Sequence, residues 1–191
     1  RATSPRDVGP PIRLSLSLVI GSLVLLAFAG APSAQIPLPN PALNGTWRLQ
    51  GTVEQAQAVV AAAIDPAVST LAPDIQRLAR ARIAESTAIP PTVEIQAGPT
   101  RILVAISGAE SRSFESAPGA SQNVYSRSGV RAELTQTYRP DGAIEQRFRA
   151  MDGTQWNFYT PQPDGQTLAL DVLMRSRRLT QDVRFQITFT R

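Results

Sequence analysis

The sequence predicts a mainly β fold of regularly spaced antiparallel strands, with one helical section near the start of the folded domain. Three observations support this. In the stretch 46–53, Trp47, Leu49 and Val53 alternate with polar residues, as in a strand with one buried face. The following stretch, 54–87, loses this alternation and becomes rich in Ala and Val at first. From residue 92 onward, alternation returns in about nine short segments, a pattern typical of a sandwich or an up-and-down barrel.

The helical section 54–87 is predicted to contain two helices. The first part, 54–64, has no turn signal and forms one of them. Asp65-Pro66 resembles an N-cap followed by proline at the first helical position, so a second helix is predicted to begin there. Apolar residues then recur at spacings of three and four, which indicates an amphipathic helix. Pro73 must either kink this helix or restart it.

The later strands are separated by turn signals such as Pro140-Asp141-Gly142, Asp152-Gly153 and Pro163-Asp164-Gly165. These dipeptides and tripeptides favour the backbone conformations that hairpin turns need. The predicted strands are 93–97, 102–106, 112–115, 123–126, 130–138, 143–150, 154–160, 167–175 and 182–190.

The first 34 residues predict a signal peptide. Residues 14–29 are apolar and uncharged, shorter than the roughly 20 residues that a transmembrane helix needs, and small residues follow at 29–34. We therefore expect export to the periplasm or to the outside of the cell, with an uncleaved membrane anchor as the alternative. Residues 35–42 are a proline-rich linker, and the folded domain is expected to occupy 43–191.

The composition excludes several kinds of chemistry. The chain has no Cys and no His, which removes disulfides, thiol nucleophiles, His-ligated zinc or haem, and Ser-His-Asp triads. Carboxylates are present, but their spacing does not select a catalytic pair. We therefore expect a protein that is not an enzyme, with no catalytic residue, no metal site and no cofactor.

The charge does not indicate a nucleic-acid-binding protein. All 19 basic residues are Arg, and without the first 34 residues 16 of them stand against 14 acidic residues, with no clustered basic face. Arg175, Arg177 and Arg178 lie close together in a predicted hairpin between the last two strands. We expect them to make a transient contact with an anionic membrane surface, the alternative being a solvated hairpin tip. The protein is expected to be a monomer.

A resemblance to a known superfamily reduces the number of candidate folds. Gly45-Thr46-Trp47-Arg48-Leu49 on the first strand, together with Arg191 at the end of the last strand, resembles the calycins, which include lipocalins and fatty-acid-binding proteins. One strand, a helical pair and then a series of strands is similar to the order in the fatty-acid-binding family. That resemblance implies a single antiparallel up-and-down barrel of ten strands with a helical lid at 54–87. An eight-stranded lipocalin barrel is the alternative, so we predict eight to ten strands.

The alternation of residues in the first and last strands supports a closed barrel. Trp47 shares a face with Leu49, and Arg191 shares one with Phe185 and Phe189. If both faces point inward, Arg191 comes close to Trp47 and a guanidinium stacks on an indole. We expect these two residues to close the barrel rather than to contact a ligand.

The same resemblance implies a small hydrophobic ligand, such as a fatty acid or a related lipid, held inside the barrel. Arg184 is a candidate to bind a carboxylate, but it points inward only if the aromatic residues of its strand point outward. The family's aromatic-acidic motif after the Trp and its Arg-x-Tyr pair are both missing here. The competing interpretation is a structural or interaction domain of the cell envelope with a filled core. The candidate lining residues are Trp156, Phe158, Leu170, Val172, Phe185 and Ile187.

Overall fold

The computed structural model describes residues 37–108, 111–126 and 129–191. The predicted signal peptide 1–34 and the first two residues of the predicted linker lie outside the described residues. The described part of the chain contains ten strands and two α-helices, preceded by the short 3-10 helix Pro41–Leu43. The helices are α1 Val53–Val68 and α2 Pro73–Ser86. The strands are β1 Gly45–Leu49, β2 Thr92–Ala97, β3 Ile102–Ser107, β4 Arg112–Ser116, β5 Ser121–Tyr125, β6 Arg131–Tyr138, β7 Ile144–Ala150, β8 Gly153–Pro161, β9 Thr167–Ser176 and β10 Val183–Thr190.

The strands form one antiparallel sheet in the order β4-β3-β2-β1-β10-β9-β8-β7-β6-β5. Because β1 pairs with both β2 and β10, the sheet curls round into a nearly closed barrel. The predicted mainly β, up-and-down barrel with a helical pair after the first strand is confirmed, and the described residues contain ten strands.

One seam interrupts the ring between β4 and β5. These strands are joined by a short turn at 117–120, but in the part of the chain that the structure describes they stand at the two ends of the hydrogen-bonded order. Side chains bridge the seam instead. The Gln122 Nε2 donates to the Glu115 carbonyl at 2.9 Å, and the Arg112 guanidinium donates to the Tyr125 carbonyl at 3.3 Å.

Helix α1 begins with a capping box. The Thr52 hydroxyl accepts a hydrogen bond from the Gln55 backbone N–H at 3.2 Å, and the Gln55 Oε1 accepts one from the Thr52 backbone N–H at 3.0 Å. These bonds satisfy two of the N–H groups that a helix start leaves without an intrahelical partner. The start of α1 is therefore fixed by local side chains.

The predicted helix start at Asp65-Pro66 is wrong. Helix α1 runs through Pro66 to Val68 because its buried face continues on both sides of the proline, with Ile64 before it and Ala67 after it. Burial of that face outweighs the backbone hydrogen bond that the proline removes. Helix α2 starts at Pro73, which takes the first helical position, so the restart at Pro73 is confirmed.

The two ends of the barrel are built differently. At one end, the 3-10 helix packs Leu43 against the barrel, and the fully buried Trp47 donates from its Nε1 to the Leu43 carbonyl at 2.9 Å. At the other end lie α1 and α2, tied to the β9–β10 hairpin by the Thr180 hydroxyl, which donates to the Ala67 carbonyl at 3.1 Å. We call these the closed end and the helix end. Neither described helix has the length and apolar character required to cross a bilayer.

Candidate functional site in the barrel interior

The inner face of the barrel is identified by burial and register. On β10, Val183, Phe185, Ile187 and Phe189 are buried and alternate with more exposed residues. Directly opposite residues in an antiparallel pair share a face of the sheet. The register places Leu170 opposite Ile187 and Val172 opposite Phe185, so all four of these residues face the interior. Their predicted inward orientation fits the structure, and their role as ligand contacts stays a prediction.

The predicted inward orientation of Trp156 and Phe158 is wrong. Trp156 lies opposite Leu173 and Phe158 lies opposite Asp171, and both partners alternate with the inner residues of β9. The two aromatic side chains therefore lie on the outer face, where the Arg139 guanidinium stacks 5.0 Å from the centroid of the Phe158 ring. Alternation showed that the two aromatics share a face, but bulk and apolarity alone did not identify which face is inside.

Arg184 also lies on the outer face. It pairs with Leu173, its side chain is 67% exposed, and its Nη2 is 3.3 Å from the Asp182 Oδ2. An arginine in this position does not reach the interior, so the expected carboxylate anchor is not available there. Its environment is that of a solvated arginine on the strand surface.

Arg191 and Trp47 meet at the closed end. The guanidinium carbon of Arg191 lies 4.5 Å from the centroid of the Trp47 ring. The Arg191 Nη2 also donates to the Ala42 carbonyl at 2.8 Å and to the Asn44 carbonyl at 2.9 Å. These contacts join the end of β10 to the 3-10 helix and the start of β1, away from the helix end.

Two buried glutamines on neighbouring strands point into the interior, and sequence analysis did not identify them. Gln136 on β6 and Gln146 on β7 are 0% and 1% exposed and lie opposite each other. The Gln136 Nε2 donates to the carbonyls of Ile102 and Phe114 and to the Ser116 hydroxyl at 3.0–3.3 Å. The Gln146 Nε2 donates to the Gln136 Oε1 at 2.8 Å. The sequence did carry a sign of the inward orientation of Gln146, because this residue lies on the same face of its strand as Ile144 and Phe148.

Strand β8 continues this polar strip. Its inner positions include Gln155, Asn157 and Tyr159, and the Gln155 Nε2 donates to the Asn157 Oδ1 at 2.9 Å. Burial raises the pKa of the Tyr159 hydroxyl well above its ordinary value, while a hydrogen bond from Asn157 works in the opposite direction. Asn157 lies directly opposite Gln146, so the strip runs without interruption from β6 to β8. It can recognise a neutral polar group by hydrogen bonding.

Several inner side chains of the barrel remain partly accessible to solvent. Phe114 and Phe148, which stack edge to face with their ring centroids 5.4 Å apart, remain partly accessible, as do Asn157 and Met174. Since all four side chains point inward by register, this accessible surface lies within the barrel or at its mouth. No group of three or more Asp or Glu side chains within the described ranges is placed to hold a metal ion.

Two pockets of about 400 Å³ each lie elsewhere. One lies beside the start of β1 and the β2–β3 hairpin and includes Gly45, Gln96 and Arg101. The other lies between α1 and α2, where the Arg80 Nε is 3.0 Å from the Asp65 Oδ1. The second pocket is therefore part of the helical pair that covers one end of the barrel.

Comparisons with known proteins bear on the fold. No protein-family model matches the sequence, and no curated protein matches it. Among solved structures, lipid binding protein 8 of Caenorhabditis elegans superimposes with a TM-score of 0.52 at 10% identity, covering 81% of this chain and 98% of that one. The fatty-acid-binding protein of Manduca sexta gives a TM-score of 0.50 at 12% identity, covering 78% of this chain and 99% of that one. The chain therefore has the calycin fold of the fatty-acid-binding proteins.

Proposed function

We propose that this protein is a non-enzymatic carrier that binds one small hydrophobic molecule, such as a fatty acid or a related lipid, inside the barrel. The observation that carries the proposal is the apolar inner face of β9 and β10, which lies across from inner side chains that are still accessible. Burial of an alkyl chain there contributes about 25 cal/mol per Å² of apolar surface removed from water. The structural neighbours that carry lipid-binding and fatty-acid-binding names support the same class of ligand.

We propose that the ligand enters at the helix end, past the predicted lid 54–87. Helix α2 is loosely attached, since Ile83 is its only described residue in the buried core, whereas Ile75 and Leu78 are 52% and 49% exposed. The Arg80–Asp65 ion pair between the helices is partly solvent-exposed, and such pairs contribute about 0–1 kcal/mol. Displacing α2 therefore costs little compared with opening the closed end.

We also propose that the protein is exported and acts as a monomer in the periplasm or outside the cell. The support is the charge-free apolar stretch 14–29 with small residues after it. Fractionation of host cells, followed by N-terminal sequencing of the mature protein, tests this. A new N-terminus close to residue 35 in the exported fraction is expected, and an uncut chain retained in the membrane fraction contradicts it.

The proposed membrane contact is transient and uses the hairpin that carries Arg175, Arg177 and Arg178. Arg175 is engaged by Asp182 at 2.9 Å, and Arg178 by Asp152 at 3.0 Å. The Arg178–Asp152 pair is exposed and weak, so an anionic surface can compete for Arg178, whereas two hydrogen bonds to Asp182 hold Arg175 more firmly. Sedimentation with anionic and with neutral vesicles measures the contact, and equal binding to both kinds of vesicle would contradict it.

The second candidate function is that of an interaction domain whose barrel interior is filled by its own side chains, and one observation favours it. Both pockets of about 400 Å³ lie outside the interior, whereas the outer face carries a row of Arg147, Trp156, Leu173 and Arg184 across β7 to β10. Aromatic residues and Arg are enriched at protein interfaces. A domain that used this row for binding would not need a cavity.

Two neighbouring substitutions separate these candidates. Val172→Trp places a large ring in the interior, whereas Leu173→Trp places the same ring on the outer face one residue away. For the carrier, titration with a fluorescent fatty-acid analogue is expected to show binding by the wild type and by L173W and strong loss in V172W. Equal binding by both variants, or no uptake by the wild type together with a bare mass in native mass spectrometry, contradicts the carrier.

A further inference from the structure

The buried amide of Gln146 ends in an oxygen without a partner. In the described residues, the Gln146 Oε1 is the buried side-chain oxygen that has no hydrogen-bond donor. A buried acceptor left without a donor is destabilising, so a ligand group that can donate to it gains affinity. The atom belongs to the inner face, where a bound molecule would lie.

The chemistry of the neighbouring atoms fixes which end of this amide faces the ligand. The Gln136 amide meets the carbonyls of Ile102 and Phe114, which are acceptors only, so it must present its Nε2 to them. Its Oε1 then faces Gln146 and requires a donor, which is the Gln146 Nε2 at 2.8 Å. The remaining atom of Gln146 is therefore an oxygen, and reversing this amide would set its Oε1 against the Gln136 Oε1 and break that bond.

The surroundings do not favour a carboxylate at this position. The inner positions of the described strands carry one cation, Arg112, which lies beside the β3–β4 hairpin, at some distance along the barrel from Gln146. An ionised carboxylate has no proton to give, so it would set oxygen against oxygen in a region shielded from water. A hydroxyl or an N–H group donates instead and remains neutral.

We propose that the barrel selects a single-chain lipid with a neutral donor head group, such as a long-chain alcohol, and that Gln146 accepts the hydrogen bond from this head. The inference rests on the proposed carrier function and specifies its ligand. To reach the Oε1, the head group displaces the Asn157 or Gln155 side chain, both of which are partly accessible and lie on the neighbouring strand. The alkyl chain then extends toward the helix end.

Three probes of equal chain length test the proposal: a long-chain primary alcohol, its methyl ether and the corresponding carboxylate near neutral pH. Each competes against an apolar fluorescent dye. The alcohol is expected to bind the wild type at least about fivefold more tightly than the ether, which accepts but cannot donate, and more tightly than the carboxylate. Equal binding of alcohol and ether, or tighter binding of the carboxylate, overturns the inference while leaving the carrier function standing. Binding of none of the three contradicts the carrier itself.

A substitution of Gln146 tests whether this residue accepts the hydrogen bond from the head group. Gln146→Leu keeps the approximate size but removes the acceptor, and it is expected to bring the alcohol-to-ether ratio close to one while retaining apolar binding. Gln96→Leu, on the exposed outer side of β2, is the matched control and is expected to keep the ratio of the wild type. An unchanged ratio in folded Q146L overturns the assignment to Gln146. If Q146L does not fold, Gln146→Met replaces it. The competition of the alcohol, ether and carboxylate for the wild type still shows whether the barrel prefers a donor head group.

Discussion

Arg191 at the end of the last strand stacks on Trp47 of the first strand, with 4.5 Å between the guanidinium carbon and the ring centroid. The same guanidinium donates to the carbonyls of Ala42 and Asn44. A single side chain therefore connects the first strand, the last strand and the short helix that covers the closed end. Removal of this side chain should lower the free energy of unfolding rather than the affinity for a ligand.

Arg191→Gln is expected to lower the free energy of unfolding by about 1–2 kcal/mol, because it removes a cation–π contact and charge-assisted hydrogen bonds. Urea denaturation followed by circular dichroism measures this. Arg184→Gln, on an exposed outer site, is the control and should change stability by less than about 0.5 kcal/mol. Equal effects of the two substitutions on the free energy of unfolding would show that the contact between Arg191 and Trp47 does not stabilise the fold.

The two tryptophans should respond differently to a quencher. Trp47 is fully buried, whereas Trp156 lies on the outer face and is partly accessible. In Trp156→Phe, the remaining emission is expected to be protected from acrylamide, and in Trp47→Phe it is expected to be quenched. Trp156→Phe should also leave ligand affinity unchanged, because the side chain does not face the interior. A loss of affinity in W156F would contradict the assigned orientation.

The capping box at Thr52 should control the stability of the lid. Thr52→Ala removes the acceptor for the Gln55 backbone N–H and is expected to cost about 1 kcal/mol, whereas Thr52→Ser keeps the oxygen and should cost much less. If α1 and α2 gate the interior, T52A also releases a bound fluorescent lipid faster. Stopped-flow dissociation and urea unfolding report the two effects separately, and identical behaviour of T52A and T52S would rule out the cap as the cause.

Tyr159 should make stability fall in alkaline solution. Burial raises the pKa of its hydroxyl in the folded protein above the value of about 10 that it has when unfolded. The folded state therefore disfavours the ionised form, so its stabilising contribution is complete below about pH 10 and decreases as the pH rises further. The difference between the unfolding free energies measured below and above this pH should therefore be smaller in Tyr159→Phe than in the wild type. Tyr125→Phe, at an exposed site, serves as the control and should keep the slope of the wild type.

The fold could be predicted because its determinants are local. Each hairpin combines an alternating strand with turn residues, and the first strand, the helical pair and the later strands follow one another along the chain. The error at Asp65-Pro66 has a tertiary cause: the local signal for a helix start was overridden by the burial of Ile64 and Ala67 against the barrel.

The site was less predictable because it depends on pairing between strands. Alternation showed that Trp156 and Phe158 share a face, but the register with β9 decides that this face is outside. The Gln136–Gln146 bond joins two strands at one register position, and the carbonyls that orient it come from β3 and β4 across the barrel. No short window of the sequence contains these partners together.

The seam between β4 and β5 has a consequence for how the molecule opens. Elsewhere, separating two strands breaks a ladder of backbone bonds, but here mainly side-chain bonds such as that of Gln122 to the Glu115 carbonyl are lost. Free energies of local opening vary across a protein with the number of such bonds. Amide hydrogens along this seam should therefore exchange with deuterium sooner than those of β9, which is paired on both sides. In concentrated solution, the same two edges are where one molecule can add its strand to another.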